Sequence, residues 1–253
     1  MKPFYFGDSR RPLFGVHHPP RAAGRRPGVV VCPPFGQESL RAHRSLRELA
    51  TRLADAGIPA LRFDYRGSGD STGEAEEARL EGWVEDVSAA VEEMRESTGE
   101  GRVVLAGLRL GGAMAALGAR LVGGAEALVL WEPVVDGAAH LAELRRAHAE
   151  WVRDHAPGAG IAPDEVLGFI LPAGLAADID GLRLDRIEPV PARRTLVVAS
   201  GPGGTRLWEG RPGVEQREVP PAPVWLHAEG MSRVLVPGAL IEAVVAWVEG
   251  ATA

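Results

Sequence analysis

The sequence predicts an α/β protein: a mainly parallel central sheet flanked by helices, with a small helical cap inserted late in the chain. Three observations lead there. Short runs of β-branched and aliphatic residues alternate with stretches whose apolar residues recur at helical spacing. Glycine- and proline-rich turns punctuate most changes from one pattern to the other. Strands that alternate with helices need right-handed crossovers, which make neighbouring strands parallel and cover both faces of the sheet.

The elements follow in order. Apolar segments around Phe4 to Phe6 and Leu13 to Val16 read as an opening hairpin. "GVVVCPP" is a buried strand ended by prolines, after which "PPFGQE" reads as a loop. "SLRAHRSLRELATRLADAG" puts Leu46, Leu49, Ala50 and Leu53 on one helical face, and Gly57 closes it. "IPALRFDY" is the next strand and "GSGDSTG" a glycine-rich loop. In "EEARLEGWVEDVSAAVEEMRES", Trp83, Val87, Val91 and Met94 recur at helical spacing. Val103 to Ala106 form a strand that meets Gly107, Gly111 and Gly112 and passes into an alanine-rich helix. The strands "ALVLWEP", "RRTLVVAS" and "VEQREV" follow, then an amphipathic helix from about Gly238 to Val248. Val134 to Pro191 carry helical patterns such as "HLAELRRAHAEWVRDH" and form the cap, about 134–191 within a single domain spanning 1–253. In an open sheet of this kind the functional residues belong at the carboxyl ends of the strands.

Composition narrows the function classes. A chain of 253 residues, 45% hydrophobic and 25% charged, is long enough for one large core. No stretch approaches the length of a membrane span. The start, "MKPFYFGDSRRPLFG", lacks an apolar region followed by a small-residue cleavage site, so a cytoplasmic location is expected. A net charge of −6 argues against a nucleic-acid partner held by overall positive charge. The single cysteine, Cys32, leaves no internal disulfide framework and no multi-cysteine metal site.

The most informative stretch is "VVLAGLRLGGAMAALGARL", residues 103–121. Strand, sharp turn and helix are the layout of the G-x-S-x-G nucleophile elbow, whose glycines permit a strained turn that lifts one side chain over the sheet. Here the frame reads Gly107-Leu108-Arg109-Leu110-Gly111. A guanidinium is permanently protonated and has no lone pair with which to attack. A cation at a helix N-terminus also opposes the macrodipole, so Arg109 needs an anion nearby. Two sources stand open: an internal ion pair with Glu132, Glu38 or Asp64, or a ligand carboxylate or phosphate received by the arginine and the backbone N–H groups.

The strand–helix order, "PPFGQE", "FDYRGSGDSTG" and the elbow-like turn together resemble the α/β-hydrolase superfamily over essentially the whole chain. More narrowly, "GLRLGG", "LWEPVVDG" and "VLGFILPAGLAADIDGL" resemble the exosortase A system-associated hydrolase 2 group, which is serine aminopeptidase S33-like and associated with bacterial exopolysaccharide and protein-sorting loci. The resemblance implies oxyanion donors from the backbone of Leu110 and of Phe35 or Gly36, and a ligand cleft bounded by Arg109, Leu110, Phe35, Gly36, Gln37 and Glu38. It places Arg109 in the nucleophile position. The loop "GPGGTR" supplies no aspartate where the superfamily usually keeps its acid; Glu132, after the preceding strand, is the alternative carboxylate. His227 follows the last strand, some residues later than the usual histidine.

Other features carry less. "GSGDSTG" lacks the G-x-G-x-x-G spacing and the following acid of a dinucleotide site. His140, His148 and His155 stand about two helical turns apart, too far to share one metal ion, and read as a solvated helix face. Cys32 is expected to be a small buried hydrophobe. Ser68, Ser71 and Ser232 are loop serines without an evident partner. No cofactor and no metal are expected. The functional expectation is a non-hydrolytic pseudo-enzyme or accessory protein in a bacterial biosynthetic pathway, binding an acyl- or carboxylate-bearing small molecule or a protein partner. The alternative is an active serine-independent esterase, thioesterase or acyltransferase, with His227 as base, Arg109 as electrostatic stabiliser and Glu132 as the supporting acid.

Overall fold

Apolar runs too short for helices become strands, and the amphipathic stretches between them cover the sheet they form. The computed structural model describes residues 1–21, 26–156, 158, 160, 162–200, 206–219 and 236–252. In chain order the elements are β1 (Lys2–Phe6), β2 (Leu13–His18), β3 (Gly28–Cys32), α1 (Gly36–Asp55), β4 (Ala60–Phe63), α2 (Leu80–Thr98), β5 (Val103–Leu108), α3 (Leu110–Leu121) and β6 (Ala125–Trp131). The cap follows as α4 (Gly137–His155), a small ribbon of β7 (Glu165–Val166) and β8 (Phe169–Ile170), and α5 (Ala173–Asp180). The chain then returns through β9 (Ala192–Ser200), β10 (Val214–Val219) and α6 (Gly238–Thr252).

The eight-stranded sheet has the order β1-β2-β4-β3-β5-β6-β9-β10. β1 and β2 form the expected antiparallel hairpin, β2 lies antiparallel to β4, and every other pairing is parallel. The chain leaves β3 for β4 on one side and comes back to β5 on the other. That reversal opens a crevice at the carboxyl ends of β3, β4 and β5, the place where open α/β sheets bind ligands.

Alternation along the strands feeds two cores. Val29 and Val31 face α1 and α6 with Leu46, Leu49, Leu53 and Val248. Val30 and Cys32 face α2 and α3 with Trp83, Val87, Met94 and Met114. A completely buried side chain such as Leu53 contributes about 1.5–3 kcal/mol relative to exposure.

The structure corrects four details of the sequence reading. Gly36, Gln37 and Glu38 are not loop but the first turn of α1. The helix expected from Glu76 opens with a separate 3-10 turn, Ala75–Glu77, before α2 begins at Leu80. The last helix runs on to Thr252. His140 and His148 are buried rather than solvated, since α4 turns that face onto the body of the protein; of the three histidines only His155 is exposed. The imidazole of His148 accepts a hydrogen bond from the Leu167 N–H at 3.0 Å, which ties α4 to the cap ribbon.

Candidate functional site

The site is built on the turn between β5 and α3. Arg109 has φ 55° and ψ −122°, a backbone conformation that costs about 1–3 kcal/mol for a side-chain-bearing residue. The surroundings hold it there. Its N–H donates to the Trp131 carbonyl at 2.9 Å, and its own carbonyl accepts from Gly112 at 2.9 Å and from Val134 at 3.2 Å. Close packing explains the flanking glycines: a Cβ on Gly107 would lie 2.1 Å from the Gly111 carbonyl oxygen, and one on Gly111 2.3 Å from that of Cys32. Leu110 opens α3, so its backbone N–H belongs to the first helical turn, which lacks intrahelical acceptors. Phe35 and Gly36 open α1 just beyond β3, whose Cys32 pairs with Gly107 of β5. The two sets of expected oxyanion donors therefore lie at neighbouring strand ends.

The Arg109 side chain is tied down from two directions. Its Nε donates to Glu38 Oε1 at 2.8 Å, and one terminal nitrogen donates to Glu143 Oε2 at 2.5 Å. The same nitrogen lies 3.4 Å from His140 Nδ1. Glu38 comes from α1 and is fully buried, whereas His140 and Glu143 come one turn apart from cap helix α4. The imidazole sits between the carboxylates, 3.9 Å from Glu38 Oε2 and 3.7 Å from Glu143 Oε2. Among the described residues neither Glu38 Oε2 nor His140 Nε2 has a hydrogen-bond partner.

Electrostatics follow from that geometry. Burial works against the charge on Arg109, but the carboxylates of Glu38 and Glu143 outweigh it and raise the guanidinium pKa further. Glu143 is lowered to about 2 by its contact with His140 and by the Arg109 charge, against the opposing effect of partial burial. One guanidinium facing two carboxylates leaves no demand for a third anion.

The other sequence-predicted residues lie as follows. Glu132 follows β6 at φ 44° and accepts the Ser200 hydroxyl at 3.1 Å. Asp64 takes the Asp70 N–H at 3.1 Å, while its carbonyl accepts the Ser71 hydroxyl at 2.5 Å; burial raises its pKa. The ion pairs of Arg109 are thus with Glu38 and Glu143, not with Glu132 or Asp64. Ser68 and Ser71, which the sequence left without partners, bond to backbone carbonyls of Tyr65 and Asp64. Gln37 lies in the first turn of α1 beside Glu38. Cys32 is buried at the end of β3, and its thiol is pushed up to about 12 by burial. His227 and Ser232 lie outside the described residues. Sequence reasoning missed Glu143. The available signal was the His140-to-Glu143 spacing, which puts an imidazole and a carboxylate on one helix face. Among the described residues no group of three or more His, Cys, Asp or Glu side chains is arranged to hold a metal ion.

A family model described as serine aminopeptidase, S33, matches residues 25–177. An uncharacterized protein of Mycobacterium tuberculosis strain H37Rv, Rv2307c, is 30% identical over 212 residues, covering 79% of this chain and 71% of its own. Among solved structures, the chain is similar to Est1E from Butyrivibrio proteoclasticus with ferulic acid bound, with a TM-score of 0.70, 18% identity and 98% of both chains covered. It is also similar to a proline iminopeptidase from Mycobacterium smegmatis, with a TM-score of 0.64, 18% identity and 99% and 98% of the two chains covered. These likenesses establish the α/β-hydrolase fold. No helix among the described residues is long and apolar enough to cross a membrane.

Proposed function

Since the chain belongs to the serine aminopeptidase S33 family yet presents a cation on its elbow, we propose that it is a non-hydrolytic member, acting as a binding or accessory protein. The observation that carries this reading is the double ion pair of Arg109 with Glu38 and Glu143. Acyl transfer at an elbow needs a nucleophile with a lone pair and a base within reach. Arg109 has no lone pair to offer, and its contacts bring carboxylates into the space above the turn, where a developing oxyanion would be repelled. The same contacts fasten cap helix α4 to α1.

The binding role concerns a small molecule with an acyl or carboxylate-bearing portion, or a protein partner. The further resemblance of "GLRLGG" and "LWEPVVDG" to the exosortase A system-associated hydrolase 2 group supports a place beside a bacterial biosynthetic pathway. The test is direct. A serine-reactive fluorophosphonate probe is expected to leave the purified protein unlabelled, and a panel of nitrophenyl esters to show no turnover above buffer. Stoichiometric labelling, or turnover that disappears in His227→Ala, would overturn the proposal in favour of an active enzyme.

A further inference from the structure

A cavity of about 620 Å³ opens at the carboxyl ends of β3 and β4, and none of Arg109, Glu38 or Glu143 lines it. Its volume falls in the range of small-molecule sites. Register explains the floor: Val16 of β2 and Val31 of β3 are both paired with Arg62 of β4, so the three side chains share one face of the sheet. One end is aromatic, formed by Phe35, Tyr65, Trp83 and Phe169. There Tyr65 stacks on Trp83 at 5.0 Å, and Phe35 meets Trp83 at 5.8 Å and Phe169 at 6.5 Å. The Tyr65 hydroxyl is buried without an oxygen or nitrogen partner among the described residues and has the Cys32 thiol beside it.

The other end is cationic. Arg62 is partly buried, and its Nε donates to His18 Nε2 at 3.2 Å. Burial and the neighbouring Arg62 charge push the His18 pKa down to about 4, so at neutral pH this partner is an uncharged acceptor and does not compensate the guanidinium. Arg47 adds a like charge, and Arg44 stands exposed at the rim. Among the described residues no carboxylate oxygen comes within 4.0 Å of Arg62 or Arg44. Asp64 and Asp70 also line the cavity; the Asp64 carboxylate is engaged by the Asp70 N–H and acts on Arg62 only at longer range. A partly buried cation without an ion pair gains more from an incoming anion than an exposed one does.

We propose that this cavity binds a small amphiphile, its acyl or aryl body against the aromatic end and its anionic oxygen head, a carboxylate or a phosphate monoester, on Arg62 with Arg44 at the rim. The inference deepens the binding role proposed above and rests on it, but moves the ligand away from the elbow, where the carboxylates of Glu38 and Glu143 repel anions.

Calorimetric titration of the full chain with decanoate, decyl phosphate and decanol tests it. At least one anionic probe is expected to bind about tenfold or more tightly than decanol, the scale of one charge-assisted hydrogen bond. The tighter of decanoate and decyl phosphate identifies the head group. Arg62→Gln is expected to remove that advantage. Arg44→Gln, at an exposed position, is expected to weaken the anion less, with no change in melting temperature; it serves as the readout if Arg62→Gln does not fold. No heat from any probe, equal affinity for decanol and both anions, or an anion advantage untouched by either substitution would overturn the site. Binding lost in Arg109→Met but kept in Arg62→Gln would place the ligand at the elbow, refuting the site while leaving the non-hydrolytic reading intact. That reading fails separately, by esterase turnover.

Discussion

The substitution that bears hardest on the elbow is Arg109→Met, which keeps the methylene stem and the strained backbone while deleting the charge. Glu38 is 0% exposed, and its one hydrogen-bonded oxygen has Arg109 Nε as donor. Removing one partner of a buried pair costs about 3–5 kcal/mol, because the other charge is left uncompensated. The expected loss is therefore about 3–5 kcal/mol, or roughly 6–20 °C in melting temperature for a chain of this size. Glu143, being partly exposed, regains solvent and adds little. Urea denaturation followed by circular dichroism measures the difference, and Glu38→Gln added to Arg109→Met should restore most of the stability. A loss under about 1 kcal/mol would refute the claim that Arg109 compensates Glu38.

Three further outcomes are expected. Glu143 has a folded-state pKa of about 2, below its ordinary value, so its contribution to stability is complete above the unfolded carboxylate pKa and is lost as pH falls towards 2; the stability gap between wild type and Glu143→Gln, read from urea midpoints, should close over that window. Cys32 should resist iodoacetamide at mildly alkaline pH in the native protein and react once urea unfolds it, because only the thiolate attacks and burial holds the thiol near 12; native alkylation seen by mass spectrometry would contradict this. Gly111→Ala should prevent stable folding, since the new Cβ would meet backbone oxygens of Cys32 and Pro33 at 2.3 and 2.4 Å, neither of which has a flexible side chain to move aside; a soluble variant with an unchanged melting temperature would show that the elbow is looser than drawn.

Hydrophobic period made the sheet, the elbow and the cap legible in the sequence, because each strand and helix announces its own buried face. What it could not give was which faces meet. His140 and Glu143 share a stripe of α4 that looks solvated by composition, and only the packing of α4 against the rest of the protein buries His140. Glu38, Asp64 and Glu132 were equally eligible partners for Arg109, all standing near strand ends. The choice among them rests on the helical turn that begins at Gly36 and swings Glu38 beneath the guanidinium, a turn disguised by the prolines and glycine around it. The cavity beside β4 was invisible for a related reason: Arg62 sits in a strand that otherwise reads as core, and its lack of an ion pair among the described residues is a property of its neighbours rather than of its segment.

The union of Glu38 with Arg109 also bears on which substitutions the elbow accepts. Exchanging the elbow arginine for serine would supply a hydroxyl but strand a negative charge in the interior, so a single-step gain of that nucleophile starts with a folding defect. Two coordinated changes are needed, one at each end of the pair. Positions 38 and 109 are therefore coupled, and a change at either is tolerated only with its counterpart.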